Sequence, residues 1–156
     1  MLYNDVLRRV RYILDKSDHE MISTYKLGHL DVTRETLSQW LKKDEDPDYK
    51  ACTSAELSCF LNGLISEKRG QREGDPPAPE ENLTNNMILR LLTIAFNLKS
   101  EEVIDVLQLA DLRVSKHELS AFFRKPNHKN YRECKAQILR NFLNGLQIKL
   151  RSESSL

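Results

Sequence analysis

Apolar residues recur every three or four positions along the chain, and no stretch alternates polar and apolar long enough to suggest a strand. The pattern predicts four helices, then the same four again. The first carries Val6, Leu7, Val10, Ile13 and Leu14; its counterpart carries Ile88, Leu89, Leu92, Ala95 and Phe96. The second opens with Ser17-x-x-Glu20, whose side chains can satisfy the free N–H groups of a helix start, and presents Met21, Ile22, Leu27 and Leu30. The third begins after Thr33, and its counterpart at Ser115-x-x-Glu118. Its expected buried positions are Leu37, Trp40 and Leu41, matched by Leu119, Phe122 and Phe123. A polar loop follows, "KDEDPDY" or "KPNHKNY". The fourth helix starts at Thr53-x-x-Glu56 and places Leu57, Phe60, Leu61 and Leu64 on one face.

The doubling is explicit. Shifted by 82 residues, the chain matches itself without a gap from Leu2 to about Arg69. Asn4 falls on Asn86, Leu7 on Leu89, Arg8 on Arg90, Tyr49 on Tyr131 and Cys52 on Cys134. The pentad FLNGL at Phe60–Leu64 falls on itself at Phe142–Leu146. Trp40 is replaced by Phe122 and Lys42 by Arg124, like for like. Two copies of one module are therefore expected at 1–70 and 83–151. A Pro-, Gly- and acid-rich linker lies at 71–82, and a flexible tail at 152–156. The fold class expected is all-α: two tandem four-helix modules, packed about an approximate two-fold axis through their fourth helices.

Within the pentad, Phe60, Leu61 and Leu64 share the core face. A glycine inside a helix costs about 1 kcal/mol relative to alanine, so Gly63 implies close approach of another helix backbone. Phe60, Gly63, Leu64, Phe142, Gly145 and Leu146 are the residues expected at a seam between the repeats.

The segments Ser23–Lys43 and Asp105–Lys125 resemble a helix-turn-helix. Val32-Thr33 and Val114-Ser115 suit the turn; Leu37 and Trp40, with Leu119 and Phe122, suit the clamp of the second helix onto the first. Two positions depart from that motif. Its usual turn glycine is Asp31 or Arg113, and its small first-helix residue is Leu27 or Leu109, which implies a wider crossing. In such a motif the second helix offers side chains to phosphates and base edges. The candidates are Arg34, Gln39, Lys42 and Lys43 in the first copy. In the second they are Lys116, Arg124, Lys125, Lys129 and Arg132.

Charge separates the copies. From Arg113 to Arg140 there are eight lysines and arginines against Glu118 and Glu133, whereas the first copy's loop holds Asp44, Glu45, Asp46 and Asp48. A basic surface can neutralise phosphates and release counterions. Composition adds limits more than chemistry. The chain has 156 residues, 30% charged, with a net charge of +1. No apolar run is long enough for a membrane span. Arg8, Arg9 and Arg11 interrupt the N-terminal apolar residues, so no signal peptide is read and a cytoplasmic location is expected. Five scattered glycines cannot form a phosphate-binding loop. The four histidines show no metal-ligand spacing. Cys52, Cys59 and Cys134 form no CxxC pair, and no repeated histidine stands by to activate a cysteine. Neither an enzyme nor a cofactor or metal site is expected.

Taken together, N-x-x-L-R (Asn4, Leu7, Arg8), the Val32-Thr33 turn with Leu37-Ser38, Tyr49-x-x-Cys52 and FLNGL, each present twice, resemble the YehS-like family of bacterial proteins. The resemblance spans nearly all of the chain outside the linker and tail. It implies a duplicated domain and a bacterial cytoplasmic protein, with no established activity. The function expected is non-enzymatic binding or regulation by tandem helix-turn-helix-like modules, with nucleic acid held by the basic second repeat. The alternative is an adaptor that binds a protein partner.

Overall fold

The computed structural model describes residues 1–154. These residues form eight helices and no strand. In the first unit, Met1–Leu83, they are α1 (Tyr3–Leu14), α2 (Asp18–Leu27), α3 (Arg34–Leu41) and α4 (Ser54–Arg69). In the second, Thr84–Leu156, they are α5 (Asn85–Ala95), α6 (Ser100–Leu109), α7 (Lys116–Phe122) and α8 (Ala136–Ser154).

The helix starts follow from their caps. The Ser17 hydroxyl accepts from the Glu20 N–H (3.2 Å), and the Glu20 carboxylate accepts from the Ser17 N–H (3.0 Å). Thr53 with Glu56 and Ser115 with Glu118 repeat the exchange. Helix ends are equally regular. Asp15 and its twin Asn97 close the first helix of each unit with φ of 51° and 53°. His29 and its twin Asp111 turn the chain after the second, with φ of 65° and 63°. These residue types tolerate the left-handed region. The left-handed turn residue thus lies two positions before Asp31 and Arg113, where the helix-turn-helix pattern would put it.

The pentad glycines mark the tightest packing. A Cβ at Gly63 would lie 2.0 Å from the carbonyl oxygen of Thr24 on α2, and one at Gly145 1.9 Å from that of Val106 on α6. The second and fourth helices of each unit therefore touch backbone to backbone, and any side chain at either glycine would force them apart. The need for glycine arises inside each unit. Of the other residues expected at a seam between repeats, Phe60 has a ring partner within its own unit. Phe60 packs its ring against Tyr25 (centroids 5.3 Å apart), and Leu64, Phe142 and Leu146 are buried.

This close crossing rotates α2 relative to the sequence expectation. Met21, Thr24 and Tyr25 are buried, whereas Ile22, Leu27 and Leu30 are only half-buried. The helix turns its Thr24–Gly28 edge to α4, and that edge selects what goes inside. Tyr25 fills the space, ringed by Trp40 and Phe60. In the third helices Leu37, Trp40, Leu119 and Phe122 are buried as expected, while Leu41 and Phe123 are half-buried.

Two boundaries shift. The linker is exposed through Pro79, but its end is tied to the first unit. The Ser54 hydroxyl donates to the Glu80 carbonyl (2.7 Å) and accepts from the Leu83 N–H (2.7 Å). The Glu80 N–H donates to the Ser58 hydroxyl (3.0 Å), and the Tyr3 hydroxyl to the Leu83 carbonyl (2.7 Å). Leu83, assigned by repeat spacing to the second module, is 4% exposed in the first. At the other end α8 runs on to Ser154, because nothing in "RSES" breaks a helix; the expected tail at 152–156 therefore begins as helix, and its residues 155–156 lie outside the described residues.

Candidate nucleic-acid interface

The loop joining the third and fourth helices carries most of the candidate cations, and one asparagine builds it. Asn86, 8% exposed at the start of α5, donates from its amide to the carbonyls of Phe122 (3.0 Å) and Arg132 (2.8 Å). Its amide oxygen accepts from the Cys134 N–H (2.9 Å). One side chain thus ties the end of α7 to both ends of the loop's return. The loop backbone adds its own bonds: His128 N–H to Lys125 O (2.9 Å), Tyr131 N–H to His128 O (3.0 Å) and Arg132 N–H to Ala121 O (3.0 Å). Asn130 donates its N–H to His128 Nδ1 (3.0 Å).

The first unit has the same construction. Asn4, 1% exposed, donates to the carbonyls of Trp40 and Lys50 (both 2.9 Å). It accepts from the Cys52 N–H (2.9 Å) and the Tyr49 hydroxyl (3.0 Å). The backbone bonds recur at Asp46 to Lys43 (3.0 Å), Tyr49 to Asp46 (3.0 Å) and Lys50 to Gln39 (3.2 Å). The Asp46 carboxylate accepts from the Asp48 N–H (2.9 Å) where His128 does so in the second unit.

On this scaffold the candidate residues divide. In the second unit Lys125, Lys129 and Arg132 are exposed on the loop, with Lys135 exposed just beyond it and Arg124 half-buried at its start. The Arg132 guanidinium lies 5.7 Å from the Phe122 ring centroid and 3.7 Å from Glu118. Lys116 opens α7 and is ion-paired with Glu101 (2.9 Å). Glu118 has its carboxyl held below the usual range, first by the hydrogen bond from the Ser115 backbone, then by the one from its hydroxyl. In the first unit the candidates are scattered. Arg34 is exposed at the start of α3, while half-buried Lys42 and exposed Lys43 lie past its other end. Gln39 is half-buried, and its carbonyl is engaged by the loop. The geometry thus gathers the second-unit loop residues and separates those of the first unit.

The asparagines themselves were not among the candidate residues. Their signal was present: Asn4 recurs at Asn86, always with Tyr49-x-x-Cys52 or its twin in the same copy. The cysteines in that motif contribute backbone N–H groups. Their thiols are buried, which pushes Cys52 up to about 12 and Cys134 up to about 11. A thiol so held is protonated at neutral pH and is a weak nucleophile. Among the described residues no group of three His, Cys, Asp or Glu side chains is placed to hold a metal, and no helix is long and apolar enough to cross a membrane.

The repeat is also seen by comparison. Residues 3–70 and 85–152 each match the family described as "Protein of unknown function (DUF1456)". The chain belongs to this family. As a member of the DUF1456 family it is also similar to the uncharacterized protein YehS of Escherichia coli (strain K12), with 44% identity over 147 residues, 94% of each chain. No solved structure matches it. Both DUF1456 segments contain a complete asparagine clasp, from Asn4 to Cys52 and from Asn86 to Cys134.

Proposed function

We propose that the chain is a non-enzymatic binding protein whose second repeat holds nucleic acid by its phosphates. The observation that carries this reading is the clasped loop: Lys125, Lys129 and Arg132, with Lys135 following, stand exposed on a backbone tied down by Asn86. Cations on a pre-formed loop lose little conformational freedom on binding, so more of their electrostatic gain remains. Arg132 is further steadied by Phe122. With only seven residues, α7 is about 10 Å long. That favours contact with the phosphate backbone over extended reading of base edges.

The test is binding of the full chain to generic duplex DNA at low and moderate salt. Neutralising three or four phosphates gives a slope of log K against log salt of about −3 to −4. The Lys125→Glu/Arg132→Glu variant should lose most of that slope while unfolding at the same denaturant concentration as the parent. Absence of binding at low salt would overturn the reading and leave an adaptor for a protein partner.

A further inference from the structure

The first unit contains a cavity of about 400 Å³ between the second half of α1 and the end of α3. Its wall is cationic: Arg8, Arg9, Arg11 and Lys16 line it, with Asp15 as the one acidic residue and Tyr12 and Leu41 as apolar surface. Lys16 is engaged by both carboxylate oxygens of Glu67 (2.9 and 2.8 Å), so it contributes field more than free donors. Arg8 and Arg11 are different. Arg8 is fixed by donating to the Lys42 carbonyl (2.8 Å) and to Asp5. Two of its N–H groups are thereby engaged, and a guanidinium has five. Arg11 reaches Asp18 at 3.3 Å, and its Nε is buried without a hydrogen-bond partner among the described residues. That nitrogen has no open surface, so the donors Arg11 can offer a ligand are its terminal N–H groups, of which the Asp18 contact takes one.

We infer that this cavity is a binding site for a phosphate monoester, with the phosphate on Arg8 and Arg11 and the organic part over Tyr12 and Leu41. Planar guanidinium forks match the oxygens of a phosphate, and a dianion draws more from several converging cations than a single carboxylate does. The volume falls within the range of small-molecule sites. The site is private to the first repeat. At the positions equivalent to Arg9, Arg11 and Lys16 the second repeat has Leu91, Thr93 and Leu98. It shares no residue with the basic loop, so the two proposals stand or fall separately.

The experiment is an NMR titration of the full ¹⁵N-labelled chain, reading arginine Nε–H and α1 amide resonances. The probes are adenosine 5′-monophosphate, inorganic phosphate and adenosine. Saturable shifts are expected with both phosphates, with the nucleotide at least about tenfold tighter through its added apolar contact; adenosine should cause none. Arg11→Gln should weaken nucleotide binding by at least about tenfold. Arg11→Lys, which keeps charge but loses the fork, should recover only part of it. Lys125→Glu/Arg132→Glu should leave it unchanged. Arg8 also anchors the Lys42 carbonyl, so the Arg11 variants carry the test. No saturable shift up to about 10 mM, or nucleotide shifts that persist unweakened in folded Arg11→Gln, would overturn the proposal.

Discussion

The loops at 43–50 and 125–132 have the same backbone and opposite chemistry. Each is clasped by a buried asparagine, each folds through the same two successive turns, and each returns a backbone N–H to the third helix. Even the side-chain acceptor in the turn is conserved in place, as Asp46 in one and His128 in the other. Yet the first loop exposes Asp44, Glu45 and Asp48, and the second exposes Lys125, Lys129 and Arg132. Shape here depends on groups that point inward, so the outward side chains have been free to diverge. A duplicated scaffold can thus keep one architecture and present two surfaces.

The comparison can be broken first at the helix crossings. Gly63→Ala should destabilise the first unit by about 3 kcal/mol or more, because the methyl group meets Thr24 backbone. Gly145→Ala should do the same in the second unit. The twins Gly28 and Ala110 sharpen the point. A Cβ at Gly28 would lie 1.8 Å from the Cys59 carbonyl oxygen, whereas the second repeat already has one at Ala110. Gly28→Ala should therefore be severe and Ala110→Gly mild, as read by denaturant unfolding. Equal costs for Gly28→Ala and Ala110→Gly would contradict this difference between the two crossings.

The asparagine clasps come next. Asn4→Ala leaves the carbonyls of Trp40 and Lys50 and the N–H of Cys52 without their partner, and should cost about 3 kcal/mol. Asn86→Ala should cost somewhat less, since Asn86 is more exposed and makes no bond equivalent to that from Tyr49. Amide exchange at Cys52 and Cys134 should accelerate in the matching variant only. Loss of protection in both units from one substitution would refute independent clasps.

The smallest effect is at the start of α7. Ser115→Ala removes a cap worth about 1 kcal/mol and takes away the hydroxyl's share in holding the Glu118 carboxyl low, while the larger share, from the backbone N–H, remains. A depressed carboxyl contributes stability above its unfolded pKa, and that stability is lost as pH falls through its folded pKa. The difference between parent and Ser115→Ala should therefore shrink on acidification below the ordinary glutamate range. A difference that grows with acid would reverse the assignment.

What was legible in the sequence was whatever repeats or has a period. The helix starts at Ser17, Thr53 and Ser115 follow from local capping chemistry, and the core stripe of the fourth helix from spacing alone. The partner of Gly63 was not legible, because a glycine announces a close approach without naming the helix that makes it. The buried face of α2 is hidden from sequence for the same reason: its rotation is set by the Thr24–Gly28 edge, a tertiary fact. The clasp joins Asn4 to residues more than thirty-five positions away, beyond the reach of any local pattern. The linker's end held a similar surprise, since Ser54 and Ser58 bind it through hydroxyls that composition does not flag.

The central claim is that the clasp supplies shape while the exposed loop residues supply binding. It is tested most directly by giving the second loop the first loop's sequence. The substitutions are Pro126→Asp, Asn127→Glu, His128→Asp, Lys129→Pro, Asn130→Asp and Arg132→Lys, and the readout is the salt dependence of duplex DNA binding. The account predicts a chain that keeps slow amide exchange at Cys134 but whose binding falls by at least about tenfold at low salt, with a slope near zero. Undiminished, salt-sensitive binding by that folded chain would contradict it.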